Sequence, residues 1–208
     1  LVLTGRFMID DKEKQVLGLQ LPTDPRWADI ASMHLEDILV DHAFCEQKAA
    51  SSCISLIVKF PDKKKLVETL TPIVAEEWAH FERVMEQINK RGFTLSHKRK
   101  DEYVAALGGM EKKGGSREMQ LVEKLLFNAL IEARSCERFR LLWKHIDDAE
   151  LSKFYYELMV SEAGHYKTFL ALSREYLPEK QVNDRWKEIL KQEAEVMKNL
   201  SPRPDRMH

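Results

Sequence analysis

The 208 residues, 44% hydrophobic and 32% charged with a formal net charge of −1, suit one compact domain with a sizeable core and exclude a generic polyanion binder. Three cysteines, Cys45, Cys53 and Cys136, show neither CxxC nor zinc-ribbon spacing, which points to a reduced compartment rather than a disulfide framework. No apolar run approaches the ~20 residues that span a bilayer, and LVLTGRFMID carries no signal-peptide pattern, so a soluble, cytoplasmic protein with no membrane partner is expected.

In chain order, apolar residues recur at steps of three and four, and no stretch sustains period-2 alternation. TDPRW at 23–27 reads as an N-cap and helix start, opening a helix over 25–59. A second helix spans 62–91, with Pro72 either bending it or marking its first turn. RGFTLSHKRK at 91–100 is at least partly loop, a short helix covers 100–108, and the glycine- and lysine-rich GGMEKKGGS at 108–116 is a loop. Helices over 117–147, 149–176 and 179–199 follow. Four of these helices are long and fall into two pairs separated by a longer connection. That is the outline of an all-α four-helix bundle, two hairpins joined by one crossover, with extra short helices in the N-terminal and crossover regions and at the C-terminus. A single domain, 1–208, with its core bundle at about 25–176 is expected.

Following each apolar stripe in steps of four and three separates interior from exterior carboxylates. The stripes are Leu35, Leu39, His42, Glu46, Ala49, Cys53; then Leu66, Leu70, Ile73, Glu77, His80, Val84. The third helix gives Leu125, Ala129, Glu132, Cys136, Phe139, Trp143, and the fourth Leu151, Tyr155, Leu158, Glu162, His165, Phe169, Leu172. Each is interrupted near its middle by a glutamate, and in two a histidine follows three residues later. Glu76 lies on a partly polar stripe, and the stripe of Glu137 runs into Arg140 and Lys144. Spacing agrees: Glu46 to Glu77 is 31 residues and Glu132 to Glu162 is 30, whereas Glu137 to Glu162 is 25. Glu77 is therefore preferred to Glu76, and Glu132 to Glu137. With 22 glutamates and 7 histidines, fewer than one Glu-x-x-His pair is expected by chance, so one alone would be no motif. Two, each on an apolar stripe with a lone glutamate about 30 residues upstream, are a pattern.

Four carboxylates and two imidazoles make the ligand set of a carboxylate-bridged dinuclear metal site. Four carboxylates at −4 balance two divalent cations at +4, and mixed oxygen and nitrogen donors suit iron or manganese. The expected ligands are Glu46, Glu77, His80, Glu132, Glu162 and His165. By analogy with this architecture, Glu77 and Glu162 bridge, and iron is favoured over manganese. Such sites support O₂-dependent C–H oxidation, iron storage, peroxide reduction or catalase chemistry, and the ligands alone do not choose.

The segments DPRW, DHAFCEQKAASS, EEWAHFERV, LIEARSCERF and SEAGHY together resemble the bacterial tRNA hydroxylases that act on 2-methylthio-N6-isopentenyladenosine. The resemblance runs from about residue 20 to 176. It implies a ferritin-like fold, two iron ions, and hydroxylation of the isopentenyl side chain of the modified adenosine beside the anticodon. O₂, a tRNA substrate and an external electron donor come with it. The alternatives are an iron-storage or iron-sequestering protein of the same fold and a diiron oxygenase acting on a lipid or quinone.

Basic clusters at 63–65, 97–100 and 112–113 are compatible with phosphate contacts or with a solvated face, and Phe93 beside the second offers a stacking surface. Arg134, Arg138 and Arg140 either bind phosphate or pair with acidic neighbours such as Glu137 and Asp147. His42, one turn before Glu46, reads first as a core histidine and second as a hydrogen-bond partner of a ligand. Trp78, Trp143, Tyr155, Tyr166 and Phe169 read as core packing, and the cysteines as small buried hydrophobes. Gly164, inside a helix, suggests close helix approach or space beside the metals.

Overall fold

The computed structural model describes residues 17–96, 102–200 and 207, and helices are the only regular elements among them. They are α1 (Arg26–Met33), α2 (Leu35–Lys59), α3 (Lys64–Lys90), α4 (Glu102–Gly108), α5 (Arg117–His145), α6 (Ala149–Ser173) and α7 (Glu179–Asn199). Local chemistry explains the ends. Ser116 caps α5 by accepting from the Met119 N–H at 3.1 Å, and Asp148 caps α6 by accepting from Glu150 and Leu151 N–H groups at 2.9 and 3.0 Å.

One expectation changes. The single helix expected over 25–59 breaks at His34, whose φ of −123° and ψ of 43° are not helical. No glycine or proline marks the break, so the 3.6-residue period runs through it unaltered. The short α1 turns Trp27, Ala28 and Ala31 inward, each at most 1% exposed, and packs on α5. Pro72 stays inside α3.

Helices α2 and α3 form one hairpin and α5 and α6 the other, with α4 in the crossover and α7 laid on α5. This is the ferritin-like four-helix bundle with helices added before it, in the crossover and after it. The apolar interior falls into two clusters. One gathers Leu56, Leu66, Leu70, Leu125, Ala129, Phe169 and Trp186; the other gathers Leu39, Val84, Phe139, Leu151, Tyr155 and Leu158. Every long helix contributes to both, so each stripe leaves one cluster and enters the other at its midpoint.

Helix α5 is buried on more than one side. Away from the bundle axis, Arg134 is fully buried, pairing with Glu193 of α7 and Glu137 of its own helix, each at 2.5 Å. Glu137 also accepts from the N–H and hydroxyl of Thr23, both at 2.7 Å. Arg138 lies with its guanidinium 4.2 Å from the ring centre of Trp27, a cation–π contact. The arginines of this helix thus tie α1, α5 and α7 together.

Removing one partner of a buried ion pair strands the other, at a cost of about 3–5 kcal/mol. Because Glu137 remains beside Arg134, Glu193→Ala is expected at the lower end, about 3 kcal/mol, read as a fall in urea midpoint without loss of bound metal.

Candidate metal centre

All six residues singled out by the stripes are buried, none more than 6% exposed, and lie where the two apolar clusters meet. They form two groups. Glu46, Glu77, His80 and Glu162 bring one donor atom each within 4.8 Å of one another, and so do Glu77, Glu132, Glu162 and His165. Glu77 and Glu162 belong to both. Each histidine sits three residues after a glutamate of its own helix, so both face the same way, and each reaches a carboxylate of the opposite helix. His80 Nδ1 is 3.3 Å from Glu162 Oε1, and His165 Nδ1 is 2.7 Å from Glu77 Oε1.

The donor set fits a pair of metal ions. Glu77 Oε1, both oxygens of Glu162 and Nδ1 of His80 and His165 are buried and make no aligned hydrogen bond. Polar atoms left without aligned partners at this depth carry a large desolvation cost unless cations, metal ions or protons, meet them. The protonation of the cluster says the same. Burial raises Glu46 and Glu132, the latter well above its ordinary value with help from the charges of Glu162 and Glu77, and pushes Glu77 up to about 7. Burial alone would raise Glu162, but close contacts to Glu132, His165 and His80 outweigh it and hold this carboxylate below the usual range. For the histidines burial favours the neutral form, yet the surrounding carboxylates win and push His80 to about 12 and His165 to about 11. Protons occupy the positions that metal ions would take.

Two neighbours outside this set hold it in place. His42 is fully buried among Phe139, Phe154 and Tyr155, with a ring-centre separation of 4.8 Å to the first, and its Nε2 lies 2.6 Å from Glu46 Oε1. Burial lowers its pKa to about 3, so the ring is neutral and its Nε2 is placed to donate to Glu46; both readings of this histidine hold together. Glu76, set aside as a ligand because its stripe is polar, sits 2.8 Å from His165 Nε2. A carboxylate there fixes the ring so that Nδ1 points to the cluster. The signal for Glu76 was its adjacency to Glu77: the outer flank of α3 faces the histidine of α6.

Other expectations fare differently. Glu137 is engaged by Arg134 and Thr23, away from the cluster. Lys63, Lys64 and Lys65 pair with Glu118, Glu68 and Glu175, and Lys112 with Glu188, the pattern of a solvated face. The basic cluster at 97–100 lies outside the described residues. Phe93 is half-buried against the second apolar cluster. Trp78, expected in the core, is 48% exposed beside Phe81. Cys53 and Cys136 are buried thiols pushed up to about 12 by burial, whereas Cys45 is only partly buried. Gly164 faces outward, and a Cβ there would meet nothing within 4 Å, so neither close helix approach nor space beside the metals explains it.

A cleft of about 310 Å³ opens between α2, α4 and α5, and Glu132 forms part of its wall. Through Glu132 the cleft adjoins the cluster.

Two outcomes follow from this geometry. Because His80 and His165 hold protons in the metal-free cluster up to about pH 11–12, metal binding must expel them. Affinity is expected to fall as pH drops, and titration calorimetry in buffers of different ionisation enthalpy should register proton release. For Gly164→Ala, helix propensity predicts a gain of roughly 0.5–1 kcal/mol with metal content unchanged, checked by thermal melting and metal analysis.

Comparison with known proteins agrees with the site. The family model for tRNA-(MS[2]IO[6]A)-hydroxylase (MiaE) matches residues 11–208. A tRNA 2-(methylsulfanyl)-N(6)-isopentenyladenosine(37) hydroxylase of Pseudomonas putida is 37% identical over 158 residues, 76% of each chain. The Salmonella typhimurium protein of the same name is 28% identical over 207 residues, covering 76% of this chain and 75% of that one. Among solved structures, a Synechococcus protein described as having aldehyde deformylating oxygenase activity superposes with a TM-score of 0.86 at 33% identity, covering 91% of this chain and 94% of its own. With nearly the whole chain matched, the protein belongs to the tRNA-(MS[2]IO[6]A)-hydroxylase family.

Proposed function

We propose that the protein is a diiron monooxygenase that hydroxylates the isopentenyl side chain of 2-methylthio-N6-isopentenyladenosine beside the anticodon of tRNA. The observation that carries this reading is the pair of four-residue groups sharing Glu77 and Glu162. Glu46 and His80 would hold one ion, Glu132 and His165 the other, with Glu77 and Glu162 between them. Four carboxylates against two divalent cations leave the interior neutral, and the oxygen-rich donor set suits iron, with manganese the second choice. The whole chain, 1–208, would act as one diiron domain.

When bound, two iron ions would supply the redox chemistry, in which O₂ takes up two electrons and two protons, one oxygen entering a C–H bond as hydroxyl and the other leaving as water. The chain's own residues do the rest. Glu46 is steadied by His42 and His165 by Glu76, so one group in each set is oriented from behind. The apolar clusters on either side keep water from the site, which strengthens every charge interaction inside it. The electrons come from an external donor protein or reductant. A tRNA substrate places the work in the cytoplasm; among the described residues no helix is long and apolar enough to cross a membrane. Iron storage and oxidation of a lipid or quinone use the same scaffold, but both named hydroxylase relatives act on tRNA.

The direct test is mass analysis of tRNA nucleosides after incubation with iron-loaded protein, O₂ and reductant. One added oxygen on the isopentenylated nucleoside is expected, and none would overturn the substrate. Glu77→Ala and Glu162→Ala should each lose both metals together with turnover, while Glu137→Gln should keep two per chain. A shared-glutamate variant that retained two metals and full activity would refute the ligand assignment.

A further inference from the structure

The cleft that reaches Glu132 holds polar groups that metal binding does not use. Ser52 of α2 and Asn128 of α5 both line it. The Ser52 hydroxyl donates to Asn128 Oδ1 at 2.9 Å, which fixes the plane of the amide. Asn128 Nδ2 is buried and has no hydrogen-bond partner. A primary amide carries two N–H donors and an oxygen with two lone pairs, so this one retains a donor face and a spare acceptor site. Around the pair the walls are apolar, with Leu107, Phe127, Ile131 and Phe169 among them. Lys48, Glu111 and Lys124 also line it, and a mostly apolar cleft with a few placed polar groups is the usual form of a small-ligand site.

Position along α5 gives the ligand its direction. Lys124, Asn128 and Glu132 all line the cleft at successive intervals of four residues, so each lies about 6 Å from the next along the helix. Lys124, outermost, is about half exposed and pairs with Glu111. From N6 of an isopentenylated adenine to the terminal methyl is four bonds of about 1.5 Å, an extended reach of roughly 5 Å. An adenine edge held at Asn128 therefore brings the end of its prenyl chain level with Glu132, and its sugar and phosphate toward Lys124.

We infer that this cleft is the seat of the modified adenine and that the Asn128 amide, set by Ser52, reads the base edge. N6-prenylated adenine keeps one N6–H donor beside a ring-nitrogen acceptor, and Asn128 matches that pair with Oδ1 and Nδ2, as amides do when they recognise adenine. Phe127 and Ile131 contact the prenyl chain. The inference rests on the tRNA-hydroxylase reading and adds the residue that selects the base.

The test compares iron-loaded wild type and Asn128→Ala in binding three RNA stem-loops. The first carries N6-isopentenyladenosine, the second plain adenosine, and the third N6-methyl-N6-isopentenyladenosine, which lacks the N6–H. Wild type is expected to prefer the first to the third by up to about tenfold, the worth of one hydrogen bond. Asn128→Ala should lose that preference while keeping two metals per chain, and Ser52→Ala, which frees the amide, should weaken it. If wild type binds the prenylated and plain stem-loops equally, the tRNA-hydroxylase reading itself fails. If wild type prefers prenylated RNA but Asn128→Ala discriminates against the N6-methylated form as strongly as wild type does, only the role of Asn128 is overturned. Loss of metal in Asn128→Ala would likewise overturn it, by making the residue a support for Glu132.

Discussion

Four carboxylates brought into one apolar interior are the constraint around which this molecule is arranged. Their charges repel, and each has given up water. The bundle accommodates them by putting all four at one level, between two separate apolar clusters, so that the hydrophobic stabilisation is gathered above and below the site rather than around it. Each long helix then needs a single interruption, and the apolar residues on both sides of it hold the helix in register. The packing that stabilises the fold is thus the same packing that aligns the donor atoms.

Helix α5 shows how far this division of labour goes. One side carries Glu132 into the cluster and, one turn earlier, Asn128 along the cleft, while another buries Arg134 and Arg138 against α1 and α7. A helix with two interior faces has little freedom to rotate. Fixing its rotation fixes where Glu132 stands relative to Asn128, which is what a site acting on one end of a long substituent requires.

The bundle and the convergence of the six residues were legible in the sequence because burial toward a common axis leaves a periodic trace. The stripe asks one question, whether a side chain points at the bundle interior, and for Glu77 against Glu76 and Glu132 against Glu137 that question separated the neighbours. It is blind to side chains that reach the site from the flank. Glu76 points partly to solvent and still meets His165, because a glutamate is long enough to bend round the edge of its helix. It is also blind to a second interior face: the pairing of Arg134 with Glu137 is within reach of the sequence, but its burial is not, because the other partners of Arg134, Thr23 and Glu193, are 111 and 59 residues away in sequence. The break at His34 leaves no trace, since the period continues across it, and the aromatic character of Trp78 does not tell an interior ring from one lying exposed beside Phe81. Asn128 had no signal at all; a vacant amide donor is visible only once Ser52 is seen to occupy the oxygen.

Glu77 and Glu162 belong to both four-residue groups, whereas Glu46, His80, Glu132 and His165 each belong to one. A change at either shared residue therefore takes a donor from both groups at once, while a change at any of the other four leaves one group whole. Each half of the centre thus has two residues of its own and depends for the rest on the pair it shares.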